Sequence, residues 1–361
     1  MKTALILALF LLALATIECG SDNPSAVTEG QPTADDQQPD SDGPTDNDDA
    51  ADDQPDRADN NITNALFTNR EASCGAYAQM YVSDVMDVQS GVSFAGDLTI
   101  SLTGGTCVFE TNAIPNHNFN DGGSFATPTS AQNDRYEMPA TASTAGSVSP
   151  LILGDDAIFL NGVKLDLLAA ACYDVGNEPL GREKIGCGPD QDDNPWRYDP
   201  MSPLNEFGTD RNNAHTQPDG TYHYHGDPRA MFISDCASAT AASPVIGFAG
   251  DGFPIFGSCI DDGGSLRRAT SSYVLKNSGG ARQDVSGYTT PVGGRGAVAS
   301  SNYDGQFRGD YEYAAGSGDL DECNGMIIDG DYGYVVTNTY PWVIGCFKGT
   351  PDDSFYRLGP P

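Results

Sequence analysis

Four histidines carry most of the chemistry that this sequence offers, and three of them, His215, His223 and His225, lie within eleven residues. The last two sit in Pro218-Asp219-Gly220-Thr221-Tyr222-His223-Tyr224-His225-Gly226-Asp227-Pro228, a run of strand-forming residues between two turn signals. Side chains alternate along a strand. His223 and His225 therefore share one face, about 6.5–7 Å apart, while Tyr222 and Tyr224 share the other. Two imidazoles so placed can tilt toward one ion, and they need a third ligand from elsewhere. His215 precedes His223 across the Asp219-Gly220 turn, so a chain reversal brings it alongside. His117 follows the rigid Ile114-Pro115-Asn116 lead-in and completes a candidate set of four. Three histidines with an open position make a reactive centre for copper or zinc, whereas four make a closed one. Asp210, Asp219 and Asp251, with Tyr222 and Tyr224, are candidate outer partners of the ligands. Taken singly, each of these acids reads as a turn residue and each tyrosine as a packed core aromatic. Histidines beside tyrosines can also form a buried hydrogen-bonded cluster with no metal, and that alternative stays open.

The elements that must hold these side chains are short strands. Leu98 to Leu102, Val108 to Glu110, Ala157 to Leu160, Val245 to Phe248, Tyr273 to Leu275 and Tyr332 to Thr337 combine β-branched, aromatic and alternating residues. Asn161-Gly162, Asp219-Gly220, Asp304-Gly305 and Asp329-Gly330 punctuate them as turns. The pattern predicts an all-β or β-rich α+β fold, a disulfide-stapled, sandwich-like domain with many short strands and long loops. The one stretch that reads as a short helix is Cys74 to Met86. Asp219-Gly220-Thr221-Tyr222-His223-Tyr224 is echoed by Asp329-Gly330-Asp331-Tyr332-Gly333-Tyr334, with Gly333 where His223 stands.

Composition narrows the setting. The 361 residues carry 51 acids against 18 bases, a formal net charge of -33. Phosphate binding needs clustered Lys and Arg, so nucleic acid is set aside as a partner. An excess of carboxylates suits solubility and hard cations such as calcium. Residues 1–19 read as a signal peptide: Lys2 is followed by an apolar run from Ala4 to Ile17, too short to span a bilayer comfortably. Two processing sites stay open. Ala13-Leu14-Ala15 resembles a signal-peptidase site, and Cys19 resembles the acylated cysteine of a bacterial lipoprotein, which is the one route to membrane attachment. Residues 20–62, rich in Asp, Pro and Gln with Arg57 as the sole base, cannot bury enough apolar surface to order and read as a tether. Residues 63–361 form the folded domain. Setting Cys19 aside leaves an even set: Cys74, Cys107, Cys172, Cys187, Cys236, Cys259, Cys323 and Cys346. In an exported chain such a set reads as disulfides, with the pairing open.

The chain resembles the YHYH domain family. The likeness rests on Ala214-His215-x-Gln217-Pro218-Asp219-Gly220-Thr221-Tyr222-His223-Tyr224-His225-Gly226 and on Gly247-Phe248-Ala249-x-Asp251-Gly252-Phe253-Pro254-Ile255-Phe256-Gly257. It continues through Asp310-Tyr311-Glu312-Tyr313 and Gly318 to Gly325, and ends near Cys346-Phe347-Lys348-Gly349, covering roughly residues 73 to 350. The resemblance implies an exported protein with a histidine cluster and brings no reaction with it. Asp319 to Gly325 approaches a calcium loop but fails its pattern at Cys323 and Asn324, and reads as a turn beside a disulfide. Three functions remain in view: an exported copper- or zinc-binding protein, an extracellular hydrolase or oxidase using the same site, and a metal-free structural or adhesive domain. Catalytic residues cannot be assigned: neither G-x-S-x-G nor H-E-x-x-H is present.

Overall fold

The computed structural model describes residues 60–151, 153–183 and 186–356. The expected signal peptide, Cys19 and all but the last three residues of the tether lie outside them. Among the described residues the chain is all-β, with strands, bridges and short 3-10 turns and no α-helix.

Met80–Asp87, Val92–Thr103, Thr106–Thr111 and Asp134–Pro139 pair in sequence order as an antiparallel four-stranded sheet. Leu98 and Ile100 alternate inward along the second strand, as their spacing predicts. The expected helix from Cys74 to Met86 is corrected. Only Cys74–Tyr77 turns, as one 3-10 turn whose Ser73 hydroxyl accepts from Gly75 N, and the chain then runs as a strand. Val82 and Val85 favour that strand, and its eight cross-strand partners outweigh a weak local helical preference.

The second sheet has eight strands. From one edge to the other they are Gly325–Ile328, Asp331–Val335, Pro254–Phe256, Val245–Ala249, Ala157–Phe159, Lys164–Leu165, Tyr222–Tyr224 and Ala214–Thr216. Its central strands are buried on both faces, which is why their sequences read as unbroken apolar runs. Phe248 meets Tyr77 of the 3-10 turn and Phe109 of the first sheet at ring-centroid distances of 5.6 and 6.2 Å, so the two sheets share one core. Burying one such phenylalanine contributes roughly 1.5–3 kcal/mol. Disulfides join neighbours along the chain: Cys74–Cys107, Cys172–Cys187, Cys236–Cys259 and Cys323–Cys346. Four such bonds suit an oxidising, extracytoplasmic compartment.

The strand pairings of the large sheet read the same from either edge: antiparallel, parallel, three antiparallel, parallel, antiparallel. Two pairs of hairpins generate this. In each pair a first hairpin leads, after a long insertion, to a second hairpin at the sheet edge. The leading strand of the first pair is Ala157–Phe159 and its closing strand Tyr222–Tyr224. The second pair runs from Val245–Ala249 to Asp331–Val335. The Tyr-x-Tyr echo is thus the same strand built twice. Tyr224 and Tyr334 occupy equivalent places, opposite Leu165 and Ile255. Their hydroxyls meet equivalent turn residues, Asn161 at 2.9 Å and Asp251 at 2.6 Å.

Where the two pairs meet at the sheet centre, Gly247 has no room for a side chain. A Cβ there would lie 2.7 Å from Phe159 Cδ1 and 2.8 Å from the Ile158 carbonyl oxygen. Gly247→Ala should cost about 1–3 kcal/mol by overpacking, whereas Gly146→Ala, with nothing within 4 Å, should be neutral or slightly stabilising. Chemical denaturation of the two variants checks this, and equal midpoints would contradict the packing described.

Candidate metal centre

His215 lies on the edge strand and His223 on its neighbour, directly opposite in the antiparallel register. Lys164 is opposite His223 on the other side, in the parallel register. Residues opposite one another in a ladder point to the same face, so Lys164, His223 and His215 form a row across three strands. His225 follows two residues after His223 on that face, and its amide donates to the Asn213 carbonyl at 2.8 Å, which extends the pairing.

The hairpin folds back because its turn permits it. Gly220 has φ 87°, a left-handed conformation that glycine adopts freely, and a Cβ there would lie 2.8 Å from the Pro128 carbonyl. Asp219 Oδ1 accepts from Thr221 N within the turn. Gly226 leaves space of a different kind: Met201 packs against it, and a Cβ would come within 3.0 Å of the Met201 sulfur.

Three imidazole nitrogens converge. His225 Nε2 lies 3.0 Å from His223 Nε2 and 3.0 Å from His215 Nε2. Among the described residues this trio is the one cluster of potential ligand side chains of this kind. Nitrogens bound at about 2.0–2.1 Å to one zinc-sized ion sit roughly 2.9–3.4 Å apart, so the spacing fits. The far sides of the rings meet backbone. His215 Nδ1 is 2.5 Å from the Phe207 carbonyl, and His223 Nδ1 is 3.3 Å from the Thr221 carbonyl. Protons held on Nδ1 by those carbonyls leave the Nε2 lone pairs facing inward, the arrangement common to metal-bound histidines. His225 Nδ1 lies toward the Asp166 backbone without a well-formed hydrogen bond. Burial holds the pKa of His223 well below its usual value, and His225, His215 and Lys164 push it the same way. Burial likewise lowers His225, with His215, Lys164 and Arg308 adding to the effect. Both rings are therefore neutral at pH 7. His223 and His225 are buried and His215 is half-buried, so the trio meets solvent on the His215 side.

His117 is not brought to this cluster. It belongs to the opposite face, with Nε2 2.7 Å from the Tyr224 hydroxyl and Nδ1 2.8 Å from the Asn118 carbonyl. The expected outer partners lie elsewhere too. Tyr222 donates to Asp210 Oδ2 at 2.9 Å, and Asp210 also receives the amides of Asn120 and Asn212. Asp251 receives Tyr334 and the Gly349 amide. These groups fasten the scaffold behind the histidines. In the Asp319–Gly325 turn, Asp319 grips Arg267 through two 2.7 Å bonds, and Asp321 holds Lys348 at 2.9 Å.

Sequence reasoning missed Lys164. Its Nζ pairs with Asp155 at 2.8 Å and donates to Gln217 Oε1 at 2.9 Å. Gln217 in turn donates to Asp166 Oδ2 at 2.9 Å. The available signal was a lone charge inside the apolar run Ala157 to Leu165.

Comparison with curated proteins and with solved structures returns no match. The model of one protein family, described as YHYH protein, matches residues 135–349, a span that holds the His215, His223 and His225 cluster and both hairpin pairs. That match covers more than half of the chain, which belongs to the YHYH protein family.

Proposed function

We propose that this chain is an exported metal-binding protein whose centre is the His215, His223 and His225 trio, with copper or zinc as the ion. The convergence of three Nε2 atoms, two from buried rings and one from a half-buried ring, carries the reading. The competing explanation is a hydrogen-bonded histidine cluster that serves the fold, and the second hairpin pair speaks against it. Matching Tyr224 to Tyr334 sets Met326, Gly333 and Val335 in the places of His215, His223 and His225, and Pro254 in the place of Lys164. The Phe256 ring covers Gly333 there. The same architecture is therefore built without any imidazole, while its Tyr-to-Asn or Tyr-to-Asp bond is kept. Imidazole suits zinc and copper, and no thiolate competes, since the eight described cysteines are in disulfides.

Protein exported under native conditions and purified without chelator should carry one copper or zinc per chain by elemental analysis. His223→Ala with His225→Ala should abolish it, and a strong chelator should lower the melting temperature of the wild type only, since loss of a ligand bound to the native state destabilises that state. A metal-free wild-type protein that takes up neither ion on titration would defeat the reading.

The metal-free protein should also be acid-sensitive. His117, His223 and His225 all have lowered pKa values in the fold, so the unfolded chain binds more protons as pH falls through 6.5. Stability is then lost on acidification, by up to about 1.4 kcal/mol per pH unit for each group. The buried carboxyls of Asp156 and of Asp227, the latter pushed up to about 6, act in the opposite sense, so the comparison with His223→Gln isolates the imidazole. Denaturation midpoints between pH 7.5 and 6 should fall with pH, more steeply in wild type than in His223→Gln. Parallel curves would show that burial does not set these charges.

A further inference from the structure

Lys164 and Asp155 form an ion pair inside the protein. Nζ lies 2.8 Å from Asp155 Oδ1, and the two side chains are 1% and 2% exposed. A pair so deeply buried gives up the hydration of both charges, and apolar residues of similar volume often serve a fold as well or better. The second hairpin pair makes that replacement within the same chain. Pro254 stands there in place of Lys164, the same offset sets Val245 in place of Asp155, and Ile328, opposite Asp331, takes the place of Gln217, opposite Thr221. The architecture therefore does not need the two charges, and their presence calls for a chemical reason.

Both groups are held in contact from their far sides. Tyr136 donates its hydroxyl to Asp155 Oδ2 at 2.9 Å, and its ring packs on Phe355 at a centroid distance of 4.9 Å. The Phe355 carbonyl accepts Asp155 N at 3.1 Å. On the other side Lys164 Nζ donates to Gln217 Oε1 at 2.9 Å, and Gln217 is itself fixed by its Nε2 bond to Asp166. One hairpin brings amine and carboxyl together, since Lys164 pairs with Ile158 and Asp155 lies just before that strand. Where water is excluded, an ion pair and the corresponding neutral amine and acid lie closer in energy than they do in water.

We propose that this pair condenses into an internal amide, a covalent cross-link between Lys164 Nζ and Asp155 Cγ. A proton passes from Nζ to Oδ1 across their contact, leaving an amine and a carboxylic acid. The Nζ lone pair adds to Cγ, and negative charge gathers on Oδ2, where the Tyr136 hydroxyl donates. The Cγ–Oδ1 bond then breaks, and Oδ1 departs as water with a second proton from Nζ. One C–N bond forms and one C–O bond breaks, so ammonium and carboxylate become amide and water with no oxidant or co-reactant. Holding the two groups together supplies the proximity that this reaction lacks in dilute solution. The site also fits the product: the one remaining N–H faces Gln217 Oε1, and the carbonyl oxygen, Oδ2, faces Tyr136. The inference stands apart from the metal reading, although the bond would remove a positive charge from the position opposite His223. The alternative is a permanent ion pair.

The full chain, folded and purified, would be denatured, reduced, alkylated and digested with trypsin, and the peptides weighed by mass spectrometry. An ion pair leaves Lys164 cleavable and releases Tyr136–Lys164 and Leu165–Arg182 at full mass. The amide blocks that cut, so a single peptide spanning 136–182 should dominate, lighter by one water. Chymotrypsin then cuts at Phe159 or Leu160, between the linked residues, and the two halves should stay joined. Lys164→Arg keeps a positive charge but offers no amine, and should yield separate peptides with no water lost. Dehydration of Asp155 to a succinimide also removes a water, yet it leaves Lys164 cleavable and the halves separate. That outcome overturns the proposal, as does cleavage after Lys164 at full mass. Should Lys164→Arg fail to fold, the double digest of the wild type decides alone: halves that part after chymotrypsin overturn the proposal, and halves that stay joined carry it.

Discussion

Imidazoles pack nitrogen to nitrogen only while they are neutral. Everything distinctive about this chain follows from that constraint. At 3.0 Å, two protonated rings would repel strongly in a buried site, so the fold must hold both His223 and His225 uncharged. It does so first by burial and then by neighbouring positive charge, while the Thr221 carbonyl at His223 Nδ1 acts in the opposite sense. Neutral rings with inward lone pairs are unfavourable neighbours for one another. The contact is relieved in either of two ways: His225, whose Nδ1 lacks a well-formed partner, carries its proton on Nε2 and donates to a neighbour, or a cation stands between the rings.

The sheet supplies the positions through register alone. His215 opposes His223, and Lys164 opposes His223 from the other side, so three strands fix three side chains on one face without any loop rearrangement. The tyrosines of the same strand face the other way and fasten the sheet to Asp210, Asn161 and His117. One alternating strand thus carries two sets of side chains, converging imidazoles on one face and anchoring tyrosines on the other. The repeated hairpin pair separates those sets. It keeps the anchoring tyrosine and its partner at Asp251, and it replaces the imidazole face with Met326, Gly333 and Val335.

The strand content, the turns, the shared face of His223 and His225, and the approach of His215 were legible because they depend on local alternation and a short reversal. The tyrosine echo was legible for the same reason. His117 was misassigned to the cluster because its position depends on the first sheet packing behind the second, a long-range contact that no spacing encodes. Cys74 to Met86 was misread because a 3-10 turn followed by a strand shares apolar spacing with a short helix, and only pairing with Val92–Thr103 decides between them. Lys164 was missed for a third reason. It draws its meaning from distant residues, Asp155 and the register with His223.

Charge is arranged here on two length scales. Over the whole surface, the acidic excess draws cations toward the chain and raises their local concentration. That field is screened beyond about 8–10 Å at physiological ionic strength, so it attracts metal without choosing where the metal sits. Within the site the sign reverses. Lys164 stands opposite His223 in the sheet, where burial weakens the screening of its charge. A centre meant only to store a metal gains from carboxylates at its rim, and this chain has acids in abundance. Beside His223 the fixed charge is instead an ammonium held by Asp155 and Gln217, and its field adds to burial in keeping the ring neutral.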